Sequence, residues 1–283
     1  MECLRVVVWC TLRSVQESAS ADDQASIRTF YTGISSVARL TPGLLELQLD
    51  GGLDEFVTLG GDQFLYLMVP RAGADLIPDG YTIADYMDQQ PDERPLGAYY
   101  TVRRWDPENR RLTLWAVVHG HEGGVGGWIE RCVVGDRVVI WGPRHSFSPS
   151  SLARSQLLVA DETGFAAVLA ILDETPAGRP STLVFEAIDE EHTVDLSAYP
   201  DVTAHWIFRG GAPAGSGGRL VDAVRNLRLD EGRDGSCHDL DGLSVFGAAE
   251  SRQITAVRTY LRRELGLRSD QVCMTGYWRR DKP

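Results

Sequence analysis

The chain has 283 residues, 43% hydrophobic and 24% charged, enough for a sizeable core in one large domain or two ordinary ones. Its formal net charge of −12 argues against a nucleic acid or an anionic membrane as a partner, because both would repel it. The 28 lysine and arginine residues include a single lysine, Lys282, which excludes a Walker-type phosphate loop, a protein-kinase site and a lysine Schiff base.

Cysteine usage and the N-terminal sequence favour a reduced, cytoplasmic protein. The apolar run Val6–Leu12 is too short for a membrane span, and it follows the acidic Glu2 rather than a basic leader. The cysteines are odd in number and form no C-x-x-C pair, which argues against a disulfide scaffold and a zinc or iron–sulfur site: Cys3, Cys10, Cys132, Cys237 and Cys273. We expect residues 1–30 to form an N-terminal extension without chemistry.

Residues 31–150 have the pattern of a small antiparallel β-barrel. Short segments rich in β-formers alternate with turn signals such as Asp50-Gly51-Gly52 and Asp106-Pro107. The predicted strands are Leu44–Leu49, Phe64–Val69, Tyr100–Trp105, Leu112–Val118 and Arg137–Trp141. Regularly spaced strands of this kind favour a closed barrel.

Residues 151–283 alternate predicted strands and helices, which is typical of a parallel sheet with helices on its faces. The strands are Leu157–Ala160, Thr182–Ala187, His205–Phe208, Leu243–Phe246 and Val272–Trp278, and the helices are Gly164–Asp173, Arg219–Leu227 and Ser251–Leu265. The predicted fold class is therefore an antiparallel barrel followed by an α/β domain. Ligands of open α/β sheets bind at the carboxyl ends of strands, so the loops Asp161–Thr163 and Gly247–Glu250 are candidate binding segments.

The glycine-rich segment His119–Trp128 follows a predicted strand and leads into a short helix over Trp128–Arg131. Backbone N–H groups in such a segment can hold a pyrophosphate without a lysine, although a glycine-rich turn with a packed tryptophan has the same sequence. It is not a G-x-G-x-x-G fingerprint, because Ile129 stands where the third glycine is needed. His119, His121 and Glu122 do not favour a metal, because the glutamate would point away from the histidines. We expect no metal site.

Two further segments have both a functional and an ordinary interpretation. The strand Tyr99–Arg104 places an aromatic ring beside a hydroxyl, which could hold a flat heteroaromatic ligand, but an ordinary strand has the same composition. The sequence Asp161-Glu162-Thr163 lies between a strand and a helix, where helix capping is the usual role of such residues.

In chain order, these segments resemble the motifs of siderophore-interacting proteins, a branch of the ferredoxin–NADP reductase superfamily that includes ferric-siderophore reductases. The resemblance runs from about residue 33 to residue 280. It rests on Tyr100–Arg103 for the family's Y-T-x-R strand, His119–Trp128 for its flavin-phosphate loop, Ala160–Ala167 for its G-D-E-T-A-x-P-A loop, Ala248–Glu250 for its A-G-E segment and Gly276–Arg279 for its G-Y-W-R ending.

The resemblance implies an FAD-binding barrel over residues 31–150 and an NAD(P)H-binding domain over residues 151–283. Hydride would pass to the flavin, and single electrons to a ferric siderophore or another small-molecule acceptor. Tyr100 and Thr101 would be catalytic and face the isoalloxazine, with Thr101 near N5. The implied FAD-binding residues are Tyr100, Thr101, Val102, Arg103, His119, Gly120, Gly124, Val125, Gly126, Gly127 and Trp128. The implied nicotinamide-nucleotide site comprises Asp161, Glu162, Thr163, Glu250 and Trp278.

Among the positions that depart from the family pattern, two lose a positive charge. Ala98 replaces an arginine that neutralises the flavin phosphates, a role that Arg103 or Arg94 could take over. Tyr66 replaces a lysine that attracts anionic ferric siderophores. Two alternatives therefore stay open: a biosynthetic flavoenzyme that acts on an organic substrate, and a binding protein without redox activity.

Overall fold

The computed structural model describes residues 27–74, 76–118, 123–229 and 240–280. These residues form two compact units that divide between His145 and Ser146.

The first unit is a closed antiparallel barrel, as predicted, and it has six strands. Its strands follow the order β1-β2-β5-β4-β3-β6 around the barrel, and β1 closes it by pairing with both β2 and β6. The strands are β1 Arg28–Thr41, β2 Leu44–Asp50, β3 Phe64–Val69, β4 Leu96–Asp106, β5 Arg111–Val117 and β6 Arg137–Arg144. Inward-facing aliphatic side chains from all six strands fill the barrel interior.

Strand β1 is the longest element of the barrel, and the sequence analysis assigned no strand to it. Only Phe30, Thr32 and Ile34 alternate as buried residues, and no residue in the second half of the strand is buried. A short alternation with a threonine in the middle gives a weak period-two signal. The strand begins at Arg28, so its first residues lie within the segment that was predicted to be an extension.

Two short helices accompany the barrel: α1 Ile83–Asp88 and α2 Gly124–Ile129. Helix α1 begins with a capping box between Thr82 and Asp85. Six residues give too few turns for a helical pattern, and α1 was not predicted. Helix α2 begins four residues before the predicted start at Trp128, because its first turn consists mostly of glycine, which favours a turn in a sequence analysis.

The second unit is a parallel sheet, as predicted, and its five strands follow the order β11-β10-β7-β8-β9. Its elements are β7 Ser155–Asp161, α3 Phe165–Glu174, β8 Ser181–Ala187, β9 Val202–Phe208, α4 Arg219–Asn226, β10 Leu243–Glu250, α5 Ser251–Thr259 and β11 Val272–Trp278. Helix α5 is shorter than predicted because the chain continues as a π-helical turn over Tyr260–Glu264. Residues 247–250, predicted to be a loop, are the last residues of β10.

We expect Gly164→Ala to destabilise the second unit. Gly164 lies between β7 and α3, and a Cβ atom there would approach the carbonyl oxygen of Ala248 to 2.3 Å. That oxygen belongs to β10 and cannot move without distorting the sheet, so the expected loss of unfolding free energy is about 1–3 kcal/mol. Gly211→Ala is the control, since its Cβ would meet no atom within 4 Å. Equal urea midpoints for the two variants would contradict this expectation.

Candidate functional site

Successive side chains of β4 point alternately to the two sides of the barrel wall. Ala98 and Val102 belong to the barrel core, and Leu96 and Tyr100 pack against it. Tyr99 instead packs in a separate aromatic cluster on the opposite side of the sheet. Because neighbouring strand residues point to opposite sides, the two predicted catalytic residues, Tyr100 and Thr101, diverge at this point.

A cavity of about 490 Å³ lies beside the start of β4 and the start of α2. Two of the predicted FAD-binding residues, Gly124 and Trp128, line it. Within the described part of the chain, the lining residues are Arg71, Ala72, Leu96, Gly123, Gly124, Trp128, Arg131, Cys132 and Asp136. Two guanidinium groups and one carboxylate give this lining a net positive charge within a protein whose net charge is strongly negative.

The glycines at the start of α2 leave open space where side chains would otherwise stand. A Cβ atom at Gly123, Gly124 or Gly126 would meet no atom within 4 Å, and Gly124 has φ +70°. Open backbone beside two arginines suits a phosphate group, so the residues present fit the pyrophosphate of FAD. The intervening Val125 and Gly127 are buried. Of the flavin-phosphate loop that the resemblance implies, His119 and Gly120 lie outside the described residues.

Arg103 and Arg94, the two arginines that could take over the role lost at Ala98, are not among the residues that line the cavity. The Arg103 guanidinium is 5.3 Å from the centre of the Trp115 ring, and its residue is 7% exposed. The Arg94 guanidinium lies 4.7 Å from the centre of the Tyr86 ring. The cavity instead receives Arg71, which follows β3 and Pro70. An isolated arginine in a loop gives no sequence signal that would have identified it.

The predicted site residues Tyr100, Thr101 and Val102 of β4 have little exposed side-chain surface or pack against the barrel core. Burial raises the pKa of the Tyr100 hydroxyl, which therefore stays protonated at neutral pH. Thr101 is only 5% exposed, and Val102 is buried in the barrel core. Val102 can therefore shape a ligand site through its backbone, whereas its side chain packs inside the barrel.

Tyr66, at the position of the family lysine, is part of a buried aromatic cluster. Its hydroxyl lies 2.8 Å from the Tyr86 hydroxyl, and its ring lies 4.9 Å from the Tyr99 ring. A Cβ atom at Gly97 would come within 2.5 Å of the Tyr66 ring, so glycine is required for the tyrosine to fit. A packed, uncharged ring therefore stands where the resemblance implies a lysine.

In the second unit, Asp161 joins the carboxyl ends of three strands. It is 3% exposed, and its Oδ1 accepts hydrogen bonds from the backbone N and the Oγ1 of Thr163, at 2.9 and 2.5 Å. Its Oδ2 accepts from the Glu250 backbone N at 3.0 Å and from the Trp278 Nε1 at 2.8 Å. Burial raises the pKa of Asp161, and these hydrogen bonds oppose the rise. Asp161 therefore has the expected capping role, and its hydrogen bonds also connect the end of β7 to β10 and β11.

Glu250 and Glu162 are also engaged within the protein. The Glu250 carboxylate is fully buried and accepts from the backbone N atoms of Arg252, Gln253 and Arg280 at 2.7–3.2 Å, so it caps α5. Glu162 pairs with the buried Arg209 at 2.7 Å. Burial raises the pKa of Glu162, and Arg209 opposes that rise. Of the predicted nucleotide-site residues, Glu162, Thr163 and Trp278 keep partial exposure at this edge.

A second ion pair, which was not predicted from the sequence, lies at the same edge of the sheet. Glu186, near the end of β8, is 1% exposed and lies 3.4 Å from the Nε of Arg219, the first residue of α4. Burial raises the pKa of Glu186, and Arg219 opposes that rise. A glutamate inside the apolar strand sequence Thr182–Ala187 was a signal that could have identified this position.

Within the described ranges, no group of three or more His, Cys, Asp or Glu side chains could hold a metal ion. No helix in those ranges is long and apolar enough to cross a membrane.

We expect Trp278→Phe to destabilise the second unit by about 1–3 kcal/mol, because it removes an N–H donor from the buried Asp161 carboxylate. Trp206→Phe is the matched control, since this indole contacts the rings of Phe165 and Phe185 without contributing a hydrogen bond to the described residues. Thermal unfolding of both variants measures the difference. A larger loss for the Trp206 variant would show that the bond to Asp161 contributes little.

We expect Cys132, in the cavity lining, to react slowly with iodoacetamide at pH 8. Burial raises the pKa of its thiol to about 11, and Asp136 adds to the rise, so about a thousandth is thiolate at pH 8. Its alkylation rate should therefore increase with pH up to about 11, as followed by peptide mass spectrometry. FAD should slow the alkylation of Cys132 and leave that of Cys273 unchanged. Equal protection of both cysteines would contradict the placement of FAD in this cavity.

Two family models match the chain in succession. The model described as "Siderophore-interacting FAD-binding domain" matches residues 33–147, and the model described as "Siderophore-interacting protein" matches residues 153–281. The ferric vibriobactin reductase ViuB of Vibrio cholerae is 27% identical over 192 residues, covering 68% of each chain. The NADPH-dependent ferric-chelate reductase of Escherichia coli is 28% identical over 170 residues, covering 58% of this chain and 65% of that protein.

Solved structures agree with this assignment. A siderophore utilization protein from T. fusca superposes with a TM-score of 0.76 at 25% identity, covering 91% of this chain and 95% of that chain. The ferredoxin reductase of carbazole 1,9a-dioxygenase superposes with a TM-score of 0.65 at 14% identity, covering 89% of this chain and 70% of that chain, and shows the fold alone. Since the two family models match the barrel and the parallel sheet in turn, this chain belongs to the siderophore-interacting protein family, and its barrel is that family's FAD-binding domain.

Proposed function

We propose that the protein is an FAD-dependent NAD(P)H oxidoreductase that reduces a ferric siderophore. The observation that carries this proposal is the positively lined cavity beside the open glycines of α2, which lies within the FAD-binding domain. The relatives from Vibrio cholerae and Escherichia coli, both named as ferric reductases, support the choice of acceptor. A cytoplasmic location stays a prediction from the sequence.

The barrel residues would bind FAD through its phosphates and its ring. The backbone of Gly124–Gly127 receives the pyrophosphate, and Trp128 borders it from the same cavity. Thr101, with the backbone of Val102 and Arg103, would hold the flavin ring along β4, whereas the Tyr100 ring packs against the barrel core. When bound, FAD supplies the ability to accept a hydride and to release electrons one at a time. Reduction converts the ferric substrate to ferrous iron, which hard oxygen ligands of a siderophore hold less tightly.

The carboxyl edge of the parallel sheet would receive NAD(P)H, as the strand ends do in other open α/β sheets. Asp161 and Glu250 act as positioning residues there, because their carboxylates are engaged in hydrogen bonds within the protein. They fix the turn at Thr163 and the indole of Trp278, which border the nucleotide. In this arrangement the strand ends, rather than free carboxylates, define the nucleotide site.

The buried cluster around Tyr66 favours one alternative acceptor. With a packed ring in place of the family lysine, the β3–β4 side lacks one attraction for a polyanionic chelate. An organic substrate on the same scaffold is therefore the second candidate function.

Anaerobic visible spectroscopy tests both candidates. We expect bound FAD to bleach on addition of NAD(P)H and to recover when a ferric siderophore is added, with ferrous iron trapped by a chromogenic chelator. Bleaching without recovery would overturn the ferric acceptor and favour the organic substrate. The absence of bound FAD would overturn the oxidoreductase proposal.

Thr101→Val tests the role of β4 in the same assay. We expect the rate of flavin reduction to fall about tenfold, with FAD affinity nearly unchanged, because the variant keeps the shape and loses one hydroxyl partner. Thr203→Val, on the exposed side of β9, is the control. A parallel loss of rate and FAD affinity would count against a place for Thr101 near the reacting atom.

A further inference from the structure

We propose that Arg71 is the principal cationic ligand of the FAD pyrophosphate in this protein, with Arg131 as a second, weaker cation. This inference rests on the proposed function, because it assigns residues to the FAD site. Its starting point is a charge problem: a protein with a net charge of −12 must bind a dianionic pyrophosphate. Cations close to the phosphates have to supply the attraction, since the field of the whole protein is unfavourable.

The lining of the cavity supplies these cations. Among the described residues of the lining, Arg71 and Arg131 are the only ones with a positive charge, and the open backbone at Gly123 and Gly124 lines the same space. Ala98 supplies no charge from β4. A planar guanidinium with several N–H donors matches two phosphate oxygens at once, which a single ammonium group does not.

Arg71 is held in place before any ligand arrives. Its Nε donates to the carbonyl oxygen of Arg94 at 2.7 Å, and its Nη2 donates to the carbonyl oxygen of Pro91 at 2.5 Å. These carbonyls lie in the segment just before β4. The Arg71 guanidinium therefore connects the loop after β3 to the chain that enters β4. Its Nη1 has no hydrogen-bond partner among the described residues. A fixed side chain with donors to spare loses little entropy when it binds an anion.

The other charged groups of the cavity are less suited to the main role. Arg131 is exposed and already interacts with another group of the protein, so we assign it a supporting charge. Asp136 carries a charge of the wrong sign, and its Oδ2 accepts a hydrogen bond from the backbone N of Val133 at 2.9 Å. That bond occupies one of its oxygens within the turn after α2 and reduces the repulsion of a phosphate.

The test compares FAD with riboflavin, which has the same ring and no phosphates. We expect Arg71→Ala to raise the Kd of FAD about tenfold or more by fluorescence titration, since it removes a charge-assisted contact. Riboflavin affinity should stay within about twofold, because the lost contact is to phosphate alone. The variant should also weaken the dependence of the FAD Kd on salt concentration. Arg71→Lys should restore part of the FAD affinity relative to Arg71→Ala. The lysine ammonium group keeps the positive charge but lacks the planar pair of N–H donors of a guanidinium.

Arg39→Ala is the matched control, because the Arg39 side chain likewise donates to a backbone carbonyl, that of Pro42 at 2.7 Å, but stands on exposed β1 away from the cavity. It should leave both affinities unchanged. An FAD Kd for Arg71→Ala within twofold of the native value would overturn the assignment. Equal loss of FAD and riboflavin affinity would overturn it too, by showing that Arg71 only shapes the loop. Failure of the native protein to bind FAD would overturn the proposed function as well, so the two failures are distinguishable.

Discussion

The period of two along β4 is the constraint on which the flavin side of the molecule depends. It sends Ala98 and Tyr100 toward one side of the barrel wall and Tyr99 toward the other, where Tyr66 and Tyr86 are packed. A slip of one residue in the pairing of β3 with β4 would exchange these sides and bury the wrong set. The register is protected by Gly97, whose missing side chain leaves the space that the Tyr66 ring occupies.

In a protein this acidic, a bound anion or a buried carboxylate needs a positive charge close to it, and in both units arginine supplies that charge. With Lys282 as its only lysine, the chain uses guanidinium groups wherever a fixed cation is needed. In the barrel, Arg71 is bound through two backbone carbonyls and faces the cavity. In the second unit, Arg209 and Arg219 face the glutamates Glu162 and Glu186 instead. The same residue type thus prepares an anion site in one unit and neutralises carboxylates in the other.

The sequence predicted the strands and helices more fully than the tertiary contacts of the site residues. The strands Phe64–Val69 and Val272–Trp278 have the predicted bounds, because apolar runs between turn signals mark them clearly. Strand β1 has no such marks and was missed. The importance of Asp161 was predictable from its place after a strand, but its bonds to Glu250 and Trp278 connect residues about 90 and 117 positions away. The placement of Arg71 likewise depends on tertiary contacts, which local sequence patterns do not predict.

The carboxylates at the edge of the parallel sheet concentrate negative charge there, and other groups of the protein compensate that charge. Asp161, Glu162, Glu186 and Glu250 all lie at the ends of strands β7, β8 and β10, where an anionic nucleotide would be repelled by free negative charge. Asp161 and Glu250 are surrounded by N–H and O–H donors, and the two other glutamates face arginines. Each charge is therefore matched where it stands, and the repulsion it exerts at the edge is reduced. An acidic edge can then offer backbone and an indole to a nucleotide while its carboxylates hold the strand ends together.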